Sequence, residues 1–307
     1  MNKEEMKRLI LEAVSRKLGN GYHGTIQKVL KTNMEQDALV IVKDGENIAP
    51  TINMEPFYEA MENGSSVKDV ANSILKAYFQ AVSLPMSFDT ASFTDLSYIK
   101  GRLYVRLINR HLNAELLRDV PHMPFLDDFA VTVHCLVEHS GEVNADFLVH
   151  NGFLPIWGID RETLFSLALG NTRKNSGIEL MSINNVIGMQ DSPMTADTHQ
   201  NLLWVLTNRE KIFGASAVLF DDVLRDFAEK YGNFYVVFSS VHEVLFFPAP
   251  DNSDMDAITK MNQEVNAAQV HENEILGTKA YYYCKNRGFV LSDGRSIGKG
   301  FFQSANS

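Results

Sequence analysis

Tyr235 to Asp251 reads "YVVFSSVHEVLFFPAPD", two apolar runs separated by Ser239, Ser240, Val241, His242 and Glu243. Both flanks are rich in β-branched and aromatic residues, which suit the pleated, half-buried surface of a strand. They demand a sharp reversal between them, and Ser-Ser supplies turn chemistry. The stretch therefore predicts an antiparallel hairpin. A doubly wound parallel sheet would need a crossover at this point, so the fold is read as α+β.

The surrounding segments agree. Upstream, "LLWVLT" reads as a strand, "GASAVLF" as a strand or helical lead-in, and Asp221 or Asp222 as the cap of the helix "DVLRDFAEKYG". Downstream come a helix around Met255 to Val270 and the strand "KAYYYC". Further back, "DDFAVTVHCLVEH" and "VNADFLVHNGF" read as adjacent antiparallel strands joined through Ser140 and Gly141. Asp160 suits the cap of a short helix carrying Leu164, Leu167 and Ala168. Near the start, Met6, Leu9, Ile10, Ala13, Val14 and Leu18 share one helical face, with Asn2 and Glu5 as a capping pair and Gly19 as the stop. "GTIQKVLKT", "ALVIVKDG" and the shorter "NIAPTINM" follow as strands, Pro50 confining the third to an edge. Ser66 and Asp69 open a helix whose stripe is Val67, Val70, Ala71, Ile74, Leu75 and Tyr78. "SFDTASFTDLSYIKGRLYVRLINR" follows no single period, and Arg173 to His199 reads as the longest loop and first site of proteolysis. The expected architecture is α+β, with mixed, mainly antiparallel sheets, hairpins and packed amphipathic helices. An N-terminal subdomain is expected over 1–100 and a C-terminal domain over 101–307.

Composition narrows the function. A formal charge of −10 argues against general binding to nucleic acid or anionic membrane, which reward a cationic surface. Cys135 and Cys284 are too few for a disulfide framework or a four-ligand metal site. "MNKEEMKRLILEAVSRKLG" has charges where a signal peptide needs an apolar core, and no apolar run approaches the roughly twenty residues of a spanning helix. A cytoplasmic location with no membrane contact is expected.

Four clusters carry candidate chemistry. On an extended strand Ser240 and His242 share a face while Glu243 points away, so a Ser-His-acid system would lack its orienting acid. No G-x-S-x-G elbow is present, and a surface turn is the preferred reading of Ser239 to Glu243. His134 and His139 bracket Glu138, but five residues apart they do not share a face as zinc ligands must. "DVPHMPFLDD" gathers Asp119, His122, Asp127 and Asp128 in a proline-bounded loop, a candidate acid–base or metal site as well as an ordinary surface connection. "DGRSIGKG" mimics a phosphate loop, yet only three residues separate Gly294 from Gly298 and Gly300 follows Lys299, so it reads as a flexible tail. No structural zinc and no cofactor are expected.

Four segments in order, "IAPTINMEPFYEAMENG", "LLRDVPHMPFLDDFAV", "LTNREKIFGASAVLFDDVLRDFAEKYG" and "SSVHEVLFFPA", resemble the bacterial domain-of-unknown-function family 5688. The resemblance implies an anaerobic Gram-positive source and an association with mobile elements, and it brings no catalytic residues. The last third is also similar to uncharacterised family 1444, which implies a shared α+β fold there. The expected function is a non-catalytic binding or accessory protein with a protein partner, contacted through the acidic surface and the helix "MNQEVNAAQV". The alternative is a hydrolase or metal-dependent enzyme using the His122 loop or the His242 turn. An acidic mimic of nucleic acid is disfavoured, because −10 is dilute over 307 residues.

Overall fold

The computed structural model describes residues 1–45, 50–83, 91–140, 143–186, 188, 203–251, 254–290 and 295–297, in two units, Met1–Asp89 and Thr90–Ser307. In the first unit, α1 (Lys3–Leu18) starts where Asn2 Oδ1 accepts the Glu5 amide at 2.8 Å, and it stops at Gly19, whose φ is 76°. β1 (Tyr22–Lys31) and β2 (Met34–Lys43) form a hairpin, and β3 (Thr51–Asn53) pairs with the other side of β2. α2 (Glu55–Glu62), which the sequence reading did not contain, follows directly. α3 (Val67–Ser83) begins as expected: Ser66 Oγ accepts the Asp69 amide at 3.2 Å and donates to the Asp69 carboxylate at 2.6 Å. Met6, Ile10 and Val14 of α1, Leu39 and Ile41 of β2, Tyr58 of α2, and Ile74 and Tyr78 of α3 make one core.

Among the described residues, the second unit contains two sheets. α4 (Leu96–Ile99) leads into β4 (Leu103–Asn109), β5 (His122–Phe125), β6 (Phe129–Ser140) and β7 (Val143–Leu148). β6 pairs antiparallel with all three others. After α5 (Phe153–Trp157) comes α6 (Arg161–Asn175), opened by Asp160 accepting the Thr163 amide at 2.8 Å. α6 covers the free edge of β4: Asn171 Nδ2 donates to Leu103 O at 2.9 Å, and Thr172 Oγ1 accepts the Val105 amide at 2.9 Å. Side chains here occupy backbone groups that would otherwise recruit another strand.

β8 (Ile178–Ser182), α7 (Ile183–Val186), β9 (Trp204–Asn208), a 3-10 turn (Gly214–Leu219), α8 (Asp221–Tyr231), β10 (Phe234–Val237), β11 (Val244–Pro248), α9 (Met255–Gln269), β12 (Ala280–Cys284), β13 (Gly288–Val290) and β14 (Ser296–Ile297) complete the described chain. The second sheet has the order β14-β13-β12-β10-β11-β9-β8, and every neighbouring pair is antiparallel. The fold is α+β.

Three local readings are corrected. Arg173 to His199 is not one loop: it holds the end of α6, then β8 and α7, while residues 187 and 189–200 lie outside the described residues. β8 is an edge strand whose first four residues are all half-buried, so its sequence shows no alternation. Asp221 and Asp222 do not cap α8 but lie in its first turn, where their charge favours the helix dipole. Ser296 and Ile297 pair with β13 rather than forming part of a free tail; Gly294, Gly298, Lys299 and Gly300 lie outside the described residues, as does Gly141 of the expected β6–β7 turn. Among the described residues no helix is long and apolar enough to cross a membrane.

Candidate functional site

The hairpin of β10 and β11 is present, with Val237 opposite Leu245, but Ser239 to Val241 is not a surface turn. Ser239 and Ser240 are 3% and 4% exposed. The Val241 amide donates to Glu274 O at 2.9 Å and the Leu276 amide to Ser239 O at 3.0 Å, sewing the connection to the segment before β12. Ser239 Oγ donates to Asn266 Oδ1 at 2.8 Å, and Ser240 Oγ accepts the backbone amide of His242 at 3.0 Å. The His242 ring is engaged elsewhere. Its Nδ1 accepts the Phe213 amide at 3.1 Å, which leaves the ring proton on Nε2, 3.5 Å from Glu274 Oε1. The acid at ion-pair distance from His242 is thus Glu274, while burial pushes the Glu243 carboxyl up against the pull of His242 and Ser240.

The "DVPHMPFLDD" residues do not form one loop. His122 opens β5, opposite Thr132, and its Nδ1 donates to Val120 O at 2.9 Å. Asp119, at the near end, pairs with His150 at 2.9 Å. Beyond β5, Asp128 accepts from Tyr281 Oη at 2.7 Å, Lys279 Nζ at 3.1 Å and His111 Nε2 at 3.2 Å. Burial alone would raise the Asp128 carboxyl, but the Tyr281 and Lys279 hydrogen bonds hold it below its ordinary value. Asp127 is exposed. β5 therefore separates Asp119 and His122 from Asp127 and Asp128, and the hydrogen bonds and ion pairs of Asp119, His122 and Asp128 go to Val120, His150, Tyr281, Lys279 and His111 and not to Ser240 or His242. The partner-facing reading of "MNQEVNAAQV" also fails for its asparagines: Asn262 and Asn266 are buried and both donate to Gly277 O, at 3.1 and 2.8 Å. Among the described residues no group of three or more His, Cys, Asp or Glu is placed to hold a metal ion.

A different site is built around β4. The two-residue period puts Arg102, Tyr104 and Arg106 on one face, opposite the face of Leu103, Val105 and Leu107. Register places His134 of β6 beside Tyr104, and Asp146 of β7 opposite Leu136 of β6, on the same face. These side chains interlock. Arg106 Nη2 donates to Asp146 Oδ2, and to Tyr104 Oη at 3.0 Å; His134 Nδ1 donates to Asp146 Oδ1 at 3.0 Å. Burial and the Arg106 charge push His134 down to about 4, against the pull of Asp146, so at neutral pH the imidazole is an uncharged donor. Burial alone would raise Asp146, yet the His134 hydrogen bond and the Arg106 guanidinium hold it at about 2. Burial raises the Tyr104 phenol.

Arg106 also borders a cleft of about 470 Å³ lined by β4, the end of α6 and residues 208–213. The Phe213 ring lies over its guanidinium, 3.4 Å from carbon to ring centroid. Phe213 and Lys211 both hold left-handed backbone, with φ of 53° and 56°. That conformation is disfavoured for bulky residues, and here side chains impose it. Asn208 Nδ2 donates to Ile212 O at 2.8 Å, Asn208 Oδ1 accepts the Ile212 amide at 3.2 Å, and His242 takes the Phe213 amide. None of Ser240, His242, Asp119, His122, Asp127 or Asp128 lines the cleft. His242 acts on it through Phe213. The site residues Tyr104, Arg106, Asp146 and Phe213 were missed by the sequence reading.

The class thus defined is an antiparallel α+β protein whose second unit carries an arginine-centred cleft. The chain belongs to a family of unknown function, DUF5688, whose model matches residues 3–285. The match gives no support to the likeness of the last third to family 1444. No curated protein and no solved structure matches the chain.

Proposed function

We propose that the chain is a non-catalytic binding protein of the bacterial cytoplasm, an accessory factor associated with mobile elements, that takes a ligand or a group of a protein partner into the Arg106 cleft. One observation carries the reading. The guanidinium of Arg106 is clamped by Asp146, Tyr104 and Phe213, yet its Nε–H is buried without a partner. A buried donor with no acceptor costs about 1–3 kcal/mol, and here it belongs to a residue that lines the cleft. Strained backbone such as that of Lys211 and Phe213 gathers at ligand clamps. The bacterial, cytoplasmic and mobile-element setting is supported by the family resemblance and the composition.

The hydrolase alternative needs His242 to take a proton from Ser240, and the bonds at Nδ1 and Nε2 weigh against it. Two experiments test the reading together. A thermal-shift screen of small metabolites on the full chain should yield a stabilising ligand whose effect is lost in Phe213→Ala. Treatment with an activated phosphonate should leave Ser239 and Ser240 unlabelled; labelling that disappears in His242→Ala would replace binding by hydrolysis.

A further inference from the structure

Which hydrogen-bonding groups of the cleft are already committed bears on what it binds, given the binding reading above. Asp146 is occupied by Arg106 and His134. Asn171 donates to Lys100 O and Leu103 O, Thr172 donates to Ala168 O while accepting from Val105, and both ends of the Asn208 amide hold Ile212. What remains is mostly donor. Arg106 keeps its buried Nε–H, and Arg102 commits one guanidinium nitrogen, to Val137 O at 3.2 Å. Beside the Glu210 carboxylate, the cleft thus offers the guanidinium donors of Arg102 and Arg106.

Geometry narrows the acceptor further. Phe213 covers one face of the Arg106 guanidinium at 3.4 Å, so an incoming group meets the N–H in the guanidinium plane. In-plane approach to a guanidinium edge is the geometry of carboxylate recognition. Charge narrows it again. Arg102 and Arg106 are balanced by Asp146 and Glu210 in the lining, so a phosphate monoester would leave about two excess negative charges at neutral pH where a monocarboxylate leaves one. We infer that the cleft binds a small monocarboxylate, held by the guanidinium groups of Arg102 and Arg106 that line it. The carboxylate can belong to a free small acid or to the C-terminus of a peptide.

The test uses the ¹⁵N-labelled full chain and follows the arginine Nε–H resonances during titration. The probes are N-acetylalanine, its neutral carboxamide, and the tripeptide Ala-Ala-Ala, each at matched ionic strength. The acid should move the Arg106 resonance and bind at least about tenfold more tightly than the carboxamide, a gap of 1.4 kcal/mol. Tighter binding of the tripeptide than of the acid assigns the carboxylate to a peptide terminus, and the reverse assigns it to a free acid. Arg106→Gln should abolish the difference between acid and carboxamide. Should that variant unfold, Phe213→Ala, which leaves the Asp146 pairing intact, should still weaken the acid. Equal binding of acid and carboxamide, or an acid response no larger than that to sodium chloride, overturns the inference. If the metabolite screen yields a cleft ligand while the acid is inert, the carboxylate class alone falls; if no compound moves a cleft resonance, the binding reading falls with it.

Discussion

Gly214 has no room for a side chain. A β-carbon there would sit 2.3 Å from Thr207 Oγ1, 2.6 Å from the Asn208 amide nitrogen and 2.7 Å from His242 O. Two of those atoms are backbone and cannot step aside, so Gly214→Ala should destabilise the chain by roughly 1–3 kcal/mol, the range for overpacking a full site. Urea unfolding measures it. His242 makes the companion case. Read as a surface residue, its loss should cost within about 0.5 kcal/mol. With its Nδ1 holding the left-handed Phe213, His242→Ala strands that amide and should cost roughly 1–3 kcal/mol. The cleft went unread at this scale, since "SFDTASFTDLSYIKGRLYVRLINR" as a whole follows no single period, although a local signal was present. Arg102, Tyr104 and Arg106 recur at every second position of "GRLYVRLINR", a strand signal with a polar face. Their partners Asp146 and Phe213 are remote in the chain, and spacing in one sequence does not announce a pairing across strands.

Many elements with local signals were read correctly, but α2 and the cap of α8 were not. The caps of α1, α3 and α6 depend on side chains three positions from the amides they bind, so Asn2, Ser66 and Asp160 were visible. The β10–β11 hairpin was visible too, but which face of β11 is buried was not. Phe246 is fully buried and packs on Phe227 and Phe234, whereas Leu245 is half-buried. Phe246→Ala should therefore cost about 3–5 kcal/mol and Leu245→Ala less than about 2 kcal/mol, since the cavity term needs a closed site. The β4–β6–β7 network adds a pH dependence. His134 ionises near 4 in the fold against 6.5 ordinarily, so between those values the unfolded chain binds the extra proton. Its contribution is full above about 6.5 and is lost as pH falls towards 4, by up to about 3 kcal/mol. Urea midpoints at pH 7 and 4.5 should show the loss, and His134→Gln should reduce it. Asp146, held near 2, adds its own loss only at lower pH, below its ordinary 3.8.

At the scale of the molecule, the first unit has a core that, among the described residues, runs from Met6 to Tyr78. Its buried carboxylate is satisfied internally as well: Asp37, 5% exposed, faces Lys7 at 3.0 Å, Lys3 at 3.6 Å and the Tyr58 hydroxyl at 3.4 Å. Burial alone would raise Asp37, but the Lys7 and Lys3 contacts hold it below its ordinary value, so the pairing stabilises at neutral pH and weakens as acid protonates it. Chains of this length bury enough surface to fold alone. A fragment of residues 1–89 should accordingly be a cooperative folding unit, with a helical far-ultraviolet spectrum and a single thermal transition at pH 7. The same fragment should melt at a lower temperature at pH 3, and Asp37→Asn should narrow the gap between the two pH values. A fragment that shows no transition at pH 7 would mean that the core from Met6 to Tyr78 is not sufficient, and that the first unit requires residues beyond 89 to fold.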